Sequence, residues 1–267
     1  MNSDNRPIGV FDSGVGGLSV LQQIRADLPH ETLLYVADSG HAPYGDKPTD
    51  FIAQRAAIIT QFLLEQGAKA IVVACNTATA AAIADLRRQF SIPIIGIEPA
   101  VKPAVAMTRS GVIGILATGQ TVDSAKFADL LNRHGQQAQV LAQPCPGLAD
   151  CVERGELNGP RPQALLNRYL QPLLTQNIDT LVLGCTHYPF LKPLIKQIIG
   201  PKVMIIDPSA AVSRQLSRIL EGLHQLADSD ALSGERYFTS GCVEHTAPVI
   251  SRLLGRTITL EPLPLTF

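Results

Sequence analysis

Residues 66–77 read QGAKAIVVACNT, and residues 176–187 read QNIDTLVLGCTH, 110 positions later. Each stretch is a continuous apolar run that ends on a cysteine and then turns polar. Continuous apolar runs of this length are typical of strands that are buried on both faces, as in parallel sheets. The recurrence of one pattern at two places is the feature from which the fold is predicted.

Other apolar runs of strand length lie on both sides of these two stretches. They are IGVF at 8–11, TLLYVA at 32–37, IPIIGI at 92–97, GVIGILA at 111–117, AQVLA at 138–142 and VMIID at 203–207. Amphipathic stretches of helix length separate most of them. Strands that alternate with helices predict βαβ units and mostly parallel sheets, which is an α/β fold.

The two halves of this series also match each other in order. IGVFDSG begins at residue 8 and IGILATG at 113, while IIGIEP begins at 94 and VMIIDP at 203. Three matches in register predict two copies of one α/β unit. We expect two pseudo-symmetric domains with the active site in the cleft between them. The first domain is predicted over 1–99 plus 210–267, with a short strand near RYFTSG returning to it, and the second over 100–209.

Composition excludes several classes of protein. The 267 residues are 46% hydrophobic and carry 22 Lys+Arg against 23 Asp+Glu, so no basic surface is expected for a nucleic acid. No apolar stretch reaches the roughly 18 residues of a membrane span, and no secretory leader is evident. We therefore expect a cytoplasmic protein with neither membrane nor nucleic acid as partner. The five cysteines are sparse and odd in number, which favours free thiols over a disulfide framework.

Two of these thiols, Cys75 and Cys185, end the matched strands. Ligands of open parallel sheets bind beyond the carboxyl ends of the strands, so the two thiols are expected to face each other across the cleft. We expect a helix to follow each: Asn76 or Thr77 is the expected cap of the first, and Pro189 marks the start of the second. Helix N-termini favour thiolate. The alternative is a pair of buried core cysteines, but the matched repeat favours function.

Titratable side chains accompany both thiols. Asp12 ends the neighbouring first strand and is a candidate base for Cys75, and His187 follows Cys185 by two residues. Glu153 either assists the chemistry of Cys185 or is a solvated acid on the surface.

The segment DSGVGGLSV at 12–20 resembles a dinucleotide-binding loop, but Ser19 breaks the G-x-G-x-x-G pattern. It is a tight turn or an anion-binding loop in which backbone N–H groups and Ser13 meet a carboxylate. Thr118, and Thr121 capping the next helix, are the expected equivalents in the second half. Asp38 keeps a nicotinamide enzyme open as an alternative.

The loop HAPYGDKP, which begins at residue 41, is a surface turn or places Tyr44 over a small substrate.

A zinc site is a weaker alternative for the cysteines, because Cys242 with His245 and Cys185 with His187 lack the C-x₂-C form. We expect no metal. The sequence also shows no phosphate-binding loop with a Schiff-base lysine, so pyridoxal phosphate is not expected as a cofactor. Two opposed thiols suit the inversion of a stereocentre, which needs a base on one face of Cα and an acid on the other.

Together, FDSGVGGLSV, PYG, ACNTATA, LATGQT and GCTHYPFL resemble the glutamate racemase family, the cofactor-independent group of aspartate/glutamate racemases. The resemblance covers essentially the whole chain. It implies two α/β domains, no cofactor, commonly a homodimer, and interconversion of L- and D-glutamate that supplies D-glutamate for bacterial peptidoglycan.

The resemblance also implies roles for individual residues. Cys75 acts on the D-isomer with help from Asp12, and Cys185 acts on the L-isomer with help from His187 and Glu153. The implied substrate contacts are Asp12, Ser13, Tyr44, Gly45, Asn76, Thr77, Thr118, Thr121, Thr186 and His187. Two rivals stay open: an aspartate racemase or related two-cysteine enzyme, and a two-lobed amino-acid-binding protein that would need no thiols.

Overall fold

A computed structural model describes residues 3–264, which form two parallel β-sheets surrounded by helices. The strands are β1 Ile8–Asp12, β2 Leu33–Ala37, β3 Ala70–Val73, β4 Ile94–Gly96, β5 Val112–Ala117, β6 Gln139–Pro144, β7 Thr180–Gly184, β8 Met204–Ile206, β9 Glu235–Thr239 and β10 Leu260–Pro262. The helices are α1 Leu18–Asp27, α2 Thr49–Glu65, α3 Asn76–Gln89, α4 Val101–Met107, α5 Gly119–Val122, α6 Ala125–His134, α7 Leu148–Glu153, α8 Pro160–Leu174, α9 Lys192–Ile199, α10 Ser209–Gly222 and α11 Val243–Leu254.

The sheets share one topology. The first has the order β10-β9-β2-β1-β3-β4 and the second the order β6-β5-β7-β8. Every ladder formed by the described strands is parallel. The second sheet therefore repeats the four strands β2-β1-β3-β4 of the first, and β9 and β10 extend the first sheet at one edge.

The repeat seen in the sequence has a counterpart in strand register. Ile8 of β1 pairs with Ala70 of β3, and Ile113 of β5 pairs with Thr180 of β7. Ile113 corresponds to Ile8, and Thr180 corresponds to Ala70, in the alignment of the two halves of the sequence. The repeated motifs therefore form the same ladder in both sheets, and each ladder delivers one cysteine to the carboxyl edge of its sheet.

The predicted α/β fold with parallel sheets is confirmed, whereas the domain boundaries at 99/100 and 209/210 stay a prediction. A single buried apolar cluster joins both halves of the chain, including Val15 of the first half and Val152 and Tyr188 of the second. The short strand β10 lay outside the sequence prediction, because three residues carry no recognisable period. None of the helices in residues 3–264 is long and apolar enough to cross a membrane.

A buried ion pair fixes the edge of the first sheet that lies opposite the cysteines. The Lys69 ammonium, with no exposed side-chain surface, lies 2.6 Å from a carboxylate oxygen of Glu31, which is 2% exposed. Lys69 also donates to the carbonyl oxygen of Gln225 at 2.7 Å, and Glu31 accepts from the amide of Ala227 at 2.9 Å. The pair therefore ties the segment after α10 to the start of β3.

We expect Lys69→Met to lower the free energy of unfolding by about 3–5 kcal/mol, because it leaves the Glu31 carboxylate buried without a counter-charge. Urea unfolding followed by circular dichroism measures this change. The double variant Lys69→Met/Glu31→Leu should recover most of the loss. Arg88→Met, which breaks an exposed pair with Asp85, should cost at most about 1 kcal/mol. A double variant as unstable as Lys69→Met would contradict this account.

Candidate active site

Cys75 lies directly before α3, and its own sulfur caps that helix. The sulfur accepts a hydrogen bond from the amide of Ala78 at 3.4 Å, and the thiol donates to Ser13 Oγ at 3.8 Å. The prediction that Asn76 or Thr77 caps this helix is therefore wrong. Those residues already lie in the first helical turn because Cys75, with an extended backbone, is the last non-helical residue.

The surroundings of Cys75 favour the protonated thiol. Burial raises the pKa of Cys75 to about 12, and the nearby Asp12 carboxylate and Cys185 sulfur add to the shift. The hydrogen bonds from Ala78 and Ser13 oppose it without overcoming it. The two cysteines are therefore close enough for a charge on one to affect the other. The helix N-terminus alone does not produce a thiolate here.

Asp12, the last residue of β1, is fully buried between the two halves of the chain. One carboxylate oxygen accepts from the amide of Gly14 at 2.8 Å, and the other accepts from the hydroxyl of Thr186 at 2.8 Å. Burial raises the pKa of Asp12 to about 6, although His187 and these two hydrogen bonds act in the opposite direction. A carboxyl group with this pKa can take up or release a proton near neutral pH.

Cys185, His187 and Glu153 form a chain of contacts. Cys185 Sγ lies 3.6 Å from His187 Nδ1, and His187 Nε2 lies 2.6 Å from Glu153 Oε1. Burial by itself would lower the pKa of His187, but the Cys185 sulfur and the Glu153 carboxylate outweigh burial and raise it well above its usual value. The imidazole can therefore hold a proton beside Cys185, with Glu153 as its counter-charge.

The helix expected directly after Cys185 does not start there. A turn leads into a 3₁₀ segment at Tyr188–Leu191, and α9 begins only at Lys192. Pro189 lies within the 3₁₀ segment, where its fixed φ angle fits equally well. The two thiols thus differ in local backbone, because only Cys75 lies at the start of an α-helix.

The glycine-rich loop at 12–20 binds carboxylates of the protein itself. The amide of Val15 donates to Glu153 Oε1 at 2.8 Å, as Gly14 does to Asp12. A Cβ atom on Gly14 would lie 1.9 Å from Glu153 Oε1, and one on Gly16 would lie 2.3 Å from His187 Nδ1. The loop therefore needs glycine so that the His187–Glu153 pair can pack directly on its backbone, and a dinucleotide is not required to explain it.

Hydroxyl groups from both halves meet on another side of the site. Thr77 Oγ1 lies 2.9 Å from Thr118 Oγ1 and 3.3 Å from Thr121 Oγ1, and the last two are 2.9 Å apart. The prediction that Thr121 caps a helix is wrong. Thr118 is the N-cap of α5 and Ser124 that of α6, since each accepts from the backbone amide three residues later.

The carboxamide of Asn76 is buried beside these hydroxyl groups, and neither its oxygen nor its nitrogen has a hydrogen-bond partner among residues 3–264. Unpaired buried amides are costly, so this side chain is one that a bound polar molecule would satisfy.

Tyr44 and Gly45 lie in a loop that is anchored by a buried carboxylate. The Tyr44 hydroxyl donates to Asp38 at 2.5 Å, and Asp38 also accepts from Arg55 at 2.7 Å. Asp38 is thus a buried anchor of this loop and not a ribose ligand. Gly45 packs against Thr118, whose Cβ would be 3.1 Å from a Cβ at that position.

The structure brings together all five predicted catalytic residues, Asp12, Cys75, Glu153, Cys185 and His187, through the contacts given above. Sequence reasoning missed the amide of Val15 and the side chain of Ser19, which lies 2.9 Å from the carbonyl oxygen of Thr186. The broken glycine pattern at Ser19 was the one available signal. Within residues 3–264, no group of three His, Cys, Asp or Glu side chains is arranged to hold a metal ion.

Comparison with known proteins agrees with the resemblance. The family model Asp/Glu/Hydantoin racemase matches residues 17–216. A glutamate racemase of Ectopseudomonas mendocina is 56% identical over 256 residues, which cover 96% of this chain and 97% of that protein. The chain belongs to the glutamate racemase family. It is therefore an isomerase of the amino-acid racemase class, as the motifs predicted.

Solved glutamate racemases share the fold over nearly the whole chain. The RacE1 isoform of Bacillus anthracis superposes with a TM-score of 0.89 at 37% identity and covers 98% of each chain. The Escherichia coli enzyme, solved in complex with L-glutamate and the activator UDP-MurNAc-ala, has a TM-score of 0.86 at 34% identity, over 97% of this chain and 98% of that one.

We expect iodoacetamide to alkylate Cys75 slowly at neutral pH, because a buried thiol with a raised pKa contains little thiolate. Its rate should rise about tenfold for each unit of pH in the mildly alkaline range. Peptide mapping by mass spectrometry measures the rate at each cysteine. The exposed Cys242 serves as the internal control and should react first. Fast modification of Cys75 at neutral pH would contradict the raised pKa.

Proposed function

We propose that the protein interconverts L- and D-glutamate by a two-base exchange of the Cα proton between Cys75 and Cys185. The observation that carries this proposal is the pair of buried thiols at equivalent ends of two matching ladders, each beside its own proton carrier. Relatives named glutamate racemase, one of them solved with L-glutamate, support glutamate as the substrate.

The protonated thiol of Cys75 suits one direction of the reaction directly. A thiolate at Cys185 removes the Cα proton of the L-isomer while His187 holds the proton that this cysteine has given up. Cys75, kept protonated by its raised pKa, then donates to the opposite face. The reverse direction exchanges these roles. Asp12, with a pKa of about 6, is the acceptor for the proton that Cys75 must lose.

Substrate binding is assigned to the polar groups around the two sulfurs. The unpaired carboxamide of Asn76 and the hydroxyl groups of Thr77, Thr118 and Thr121 are donors suited to carboxylates. Asp12, Ser13, Thr186 and His187 are linked to each other or to one of the thiols by hydrogen bonds, and we assign the amino group and Cα to this part of the site. Tyr44 contributes its ring and backbone, since its hydroxyl is engaged by Asp38, and Gly45 lets this loop approach Thr118.

The biological part of the proposal rests on the family resemblance. We assign the protein to the cytoplasm, as a homodimer that supplies D-glutamate for peptidoglycan. A conditional knockdown tests the role in the cell: growth arrest that added D-glutamate reverses is the expected result. Sedimentation of the purified protein tests the oligomeric state.

Circular dichroism of L-glutamate incubated with the purified protein in D₂O under reducing conditions tests the activity. The signal should decay to zero, and deuterium should appear at Cα of both enantiomers. Each of Cys75→Ala and Cys185→Ala should slow racemisation on the order of 10³-fold, because each removes the acid or base for one face. The matched control Cys242→Ala, at an exposed thiol, should keep full activity.

Other outcomes point to the rivals. Racemisation of aspartate in place of glutamate would assign the protein to the sibling activity. Binding without turnover, unchanged when both Cys75 and Cys185 are replaced by serine, would assign it to the amino-acid-binding class. Loss of activity from only one cysteine variant would refute the two-base scheme.

We expect Gly16→Ala to lower kcat on the order of 10²-fold, because the new methyl group would overlap the His187 ring and displace it from Cys185. The racemisation assay with KM and kcat resolved measures the effect. Gly222→Ala is the matched control, since no atom lies within 4 Å of a Cβ at that position. Wild-type kcat in Gly16→Ala would show that the position of the ring is not critical.

A further inference from the structure

The side chains of Cys185, His187 and Glu153, here called the relay, are held in place by residues outside the half that carries them. Glu153 is the last residue of α7, and only 15% of its side chain is exposed. Its Oε1 atom accepts from both His187 and the amide of Val15. The first half of the chain thus contacts the relay directly, which raises the question of what else holds its two ends.

Ser19, in the first turn of α1, holds the Cys185 end. Its hydroxyl oxygen lies 2.9 Å from the carbonyl oxygen of Thr186 and 2.9 Å from that of Gly16, so its hydrogen is shared between two acceptors. Thr186 is the residue between Cys185 and His187. A hydrogen bond to its backbone therefore fixes the peptide that sets the separation of the sulfur from the imidazole.

Arg252, in α11, holds the Glu153 end. Its Nη1 atom donates to the carbonyl oxygen of Gly155 at 3.0 Å. Gly155 has φ +70° and closes α7: its amide bonds to Val152 and the next amide bonds to Cys151, the geometry of a Schellman motif. A fixed Gly155 therefore fixes the last turn of α7, on which Glu153 lies.

The two anchors belong to one packed unit. The Gln22 side chain of α1 donates to the carbonyl oxygen of Leu253 in α11 at 3.2 Å. Ser19 lies in the same helix as Gln22, and Arg252 is the neighbour of Leu253. Helices α1 and α11 thus present both donors together, one to each end of the relay.

We infer that Ser19 and Arg252 are positioning residues that hold the relay in the geometry in which His187 stores the Cys185 proton. Neither touches the reacting atoms; each acts through a backbone carbonyl. The inference rests on the proposed function for its effect on turnover, but its effect on His187 is independent of any substrate.

Three variants test it with two readouts. Ser19→Ala and Arg252→Met should each lower kcat about tenfold while KM stays within about twofold, because neither variant removes a group that binds the substrate. Both should also lower the pKa of His187, measured by NMR titration of its imidazole, since the sulfur and carboxylate that raise it are held less closely. Arg252→Lys, which keeps the charge and a donor, should recover part of both losses.

Controls separate positioning from folding. Ser217→Ala and Arg154→Met remove an exposed hydroxyl and an exposed guanidinium, the latter on the residue next to Glu153, and should leave both readouts unchanged. Alanine favours helices and Arg252 is exposed, so both test variants should fold, which their melting temperatures verify.

A double-mutant cycle supplies the decisive comparison. If Arg252 acts through Glu153, Arg252→Met should add no further loss of kcat to Glu153→Gln. Additive losses, or an unchanged pKa of His187 in Ser19→Ala and Arg252→Met, would overturn the inference. A wild-type protein without racemase activity would refute the proposed function, while the His187 titration would still decide on the two anchors.

Discussion

The hydrogen bonds of one carboxylate oxygen, Glu153 Oε1, determine how the site is assembled. This atom accepts from His187 of its own half and from the amide of Val15 of the other half. A largely buried carboxylate is costly without such partners, and a buried imidazolium is equally costly without a counter-charge. Each group therefore stabilises the other only while the glycine-rich loop packs against both. The proton beside Cys185 thus depends on contact between the two halves.

Two copies of one unit have given two chemically different thiols. The ladders that deliver Cys75 and Cys185 have the same register, so the backbones up to the sulfurs are equivalent. The residues that follow are not. Asn-Thr after Cys75 continues into a helix, whereas Thr-His after Cys185 adds an imidazole to the sulfur. Inversion at a stereocentre needs acid–base groups on opposite faces, but it does not need them to have the same neighbours.

The fold was predictable because parallel strands buried on both faces leave a strong signal. Matching runs at Ile8 and Ile113 and at Ala70 and Thr180 became matching ladders. Helix starts were less predictable: Pro189 fits a 3₁₀ turn as well as an α-helix, and only backbone geometry distinguishes Cys75 from Asn76 as a cap.

The candidate site was predictable where its residues lie at strand ends, as Asp12, Cys75 and Cys185 do. The partners across the two halves were not. Val15 is 138 positions from Glu153, and Gly155 is 97 positions from Arg252. Such pairs follow from how the halves pack, and no local pattern encodes them. The same holds for the raised pKa of Cys75, because the burial that causes it is a property of the assembled core.

The titratable neighbours of the two thiols have a consequence for repeated turnover in the proposed mechanism. Conversion of one L-isomer leaves the proton of Cα on Cys185 and removes one from Cys75. Before the next L-isomer reacts, Cys75 must regain a proton and Cys185 must lose one. With a pKa of about 12, Cys75 recovers its proton readily, and the protonated fraction of Asp12, whose pKa is about 6, can supply one near neutral pH. His187 can accept the proton that Cys185 has taken from Cα once it has released to solvent the proton that it already holds. Asp12 and His187 are therefore needed less to alter the sulfurs at rest than to restore the two proton states between turnovers.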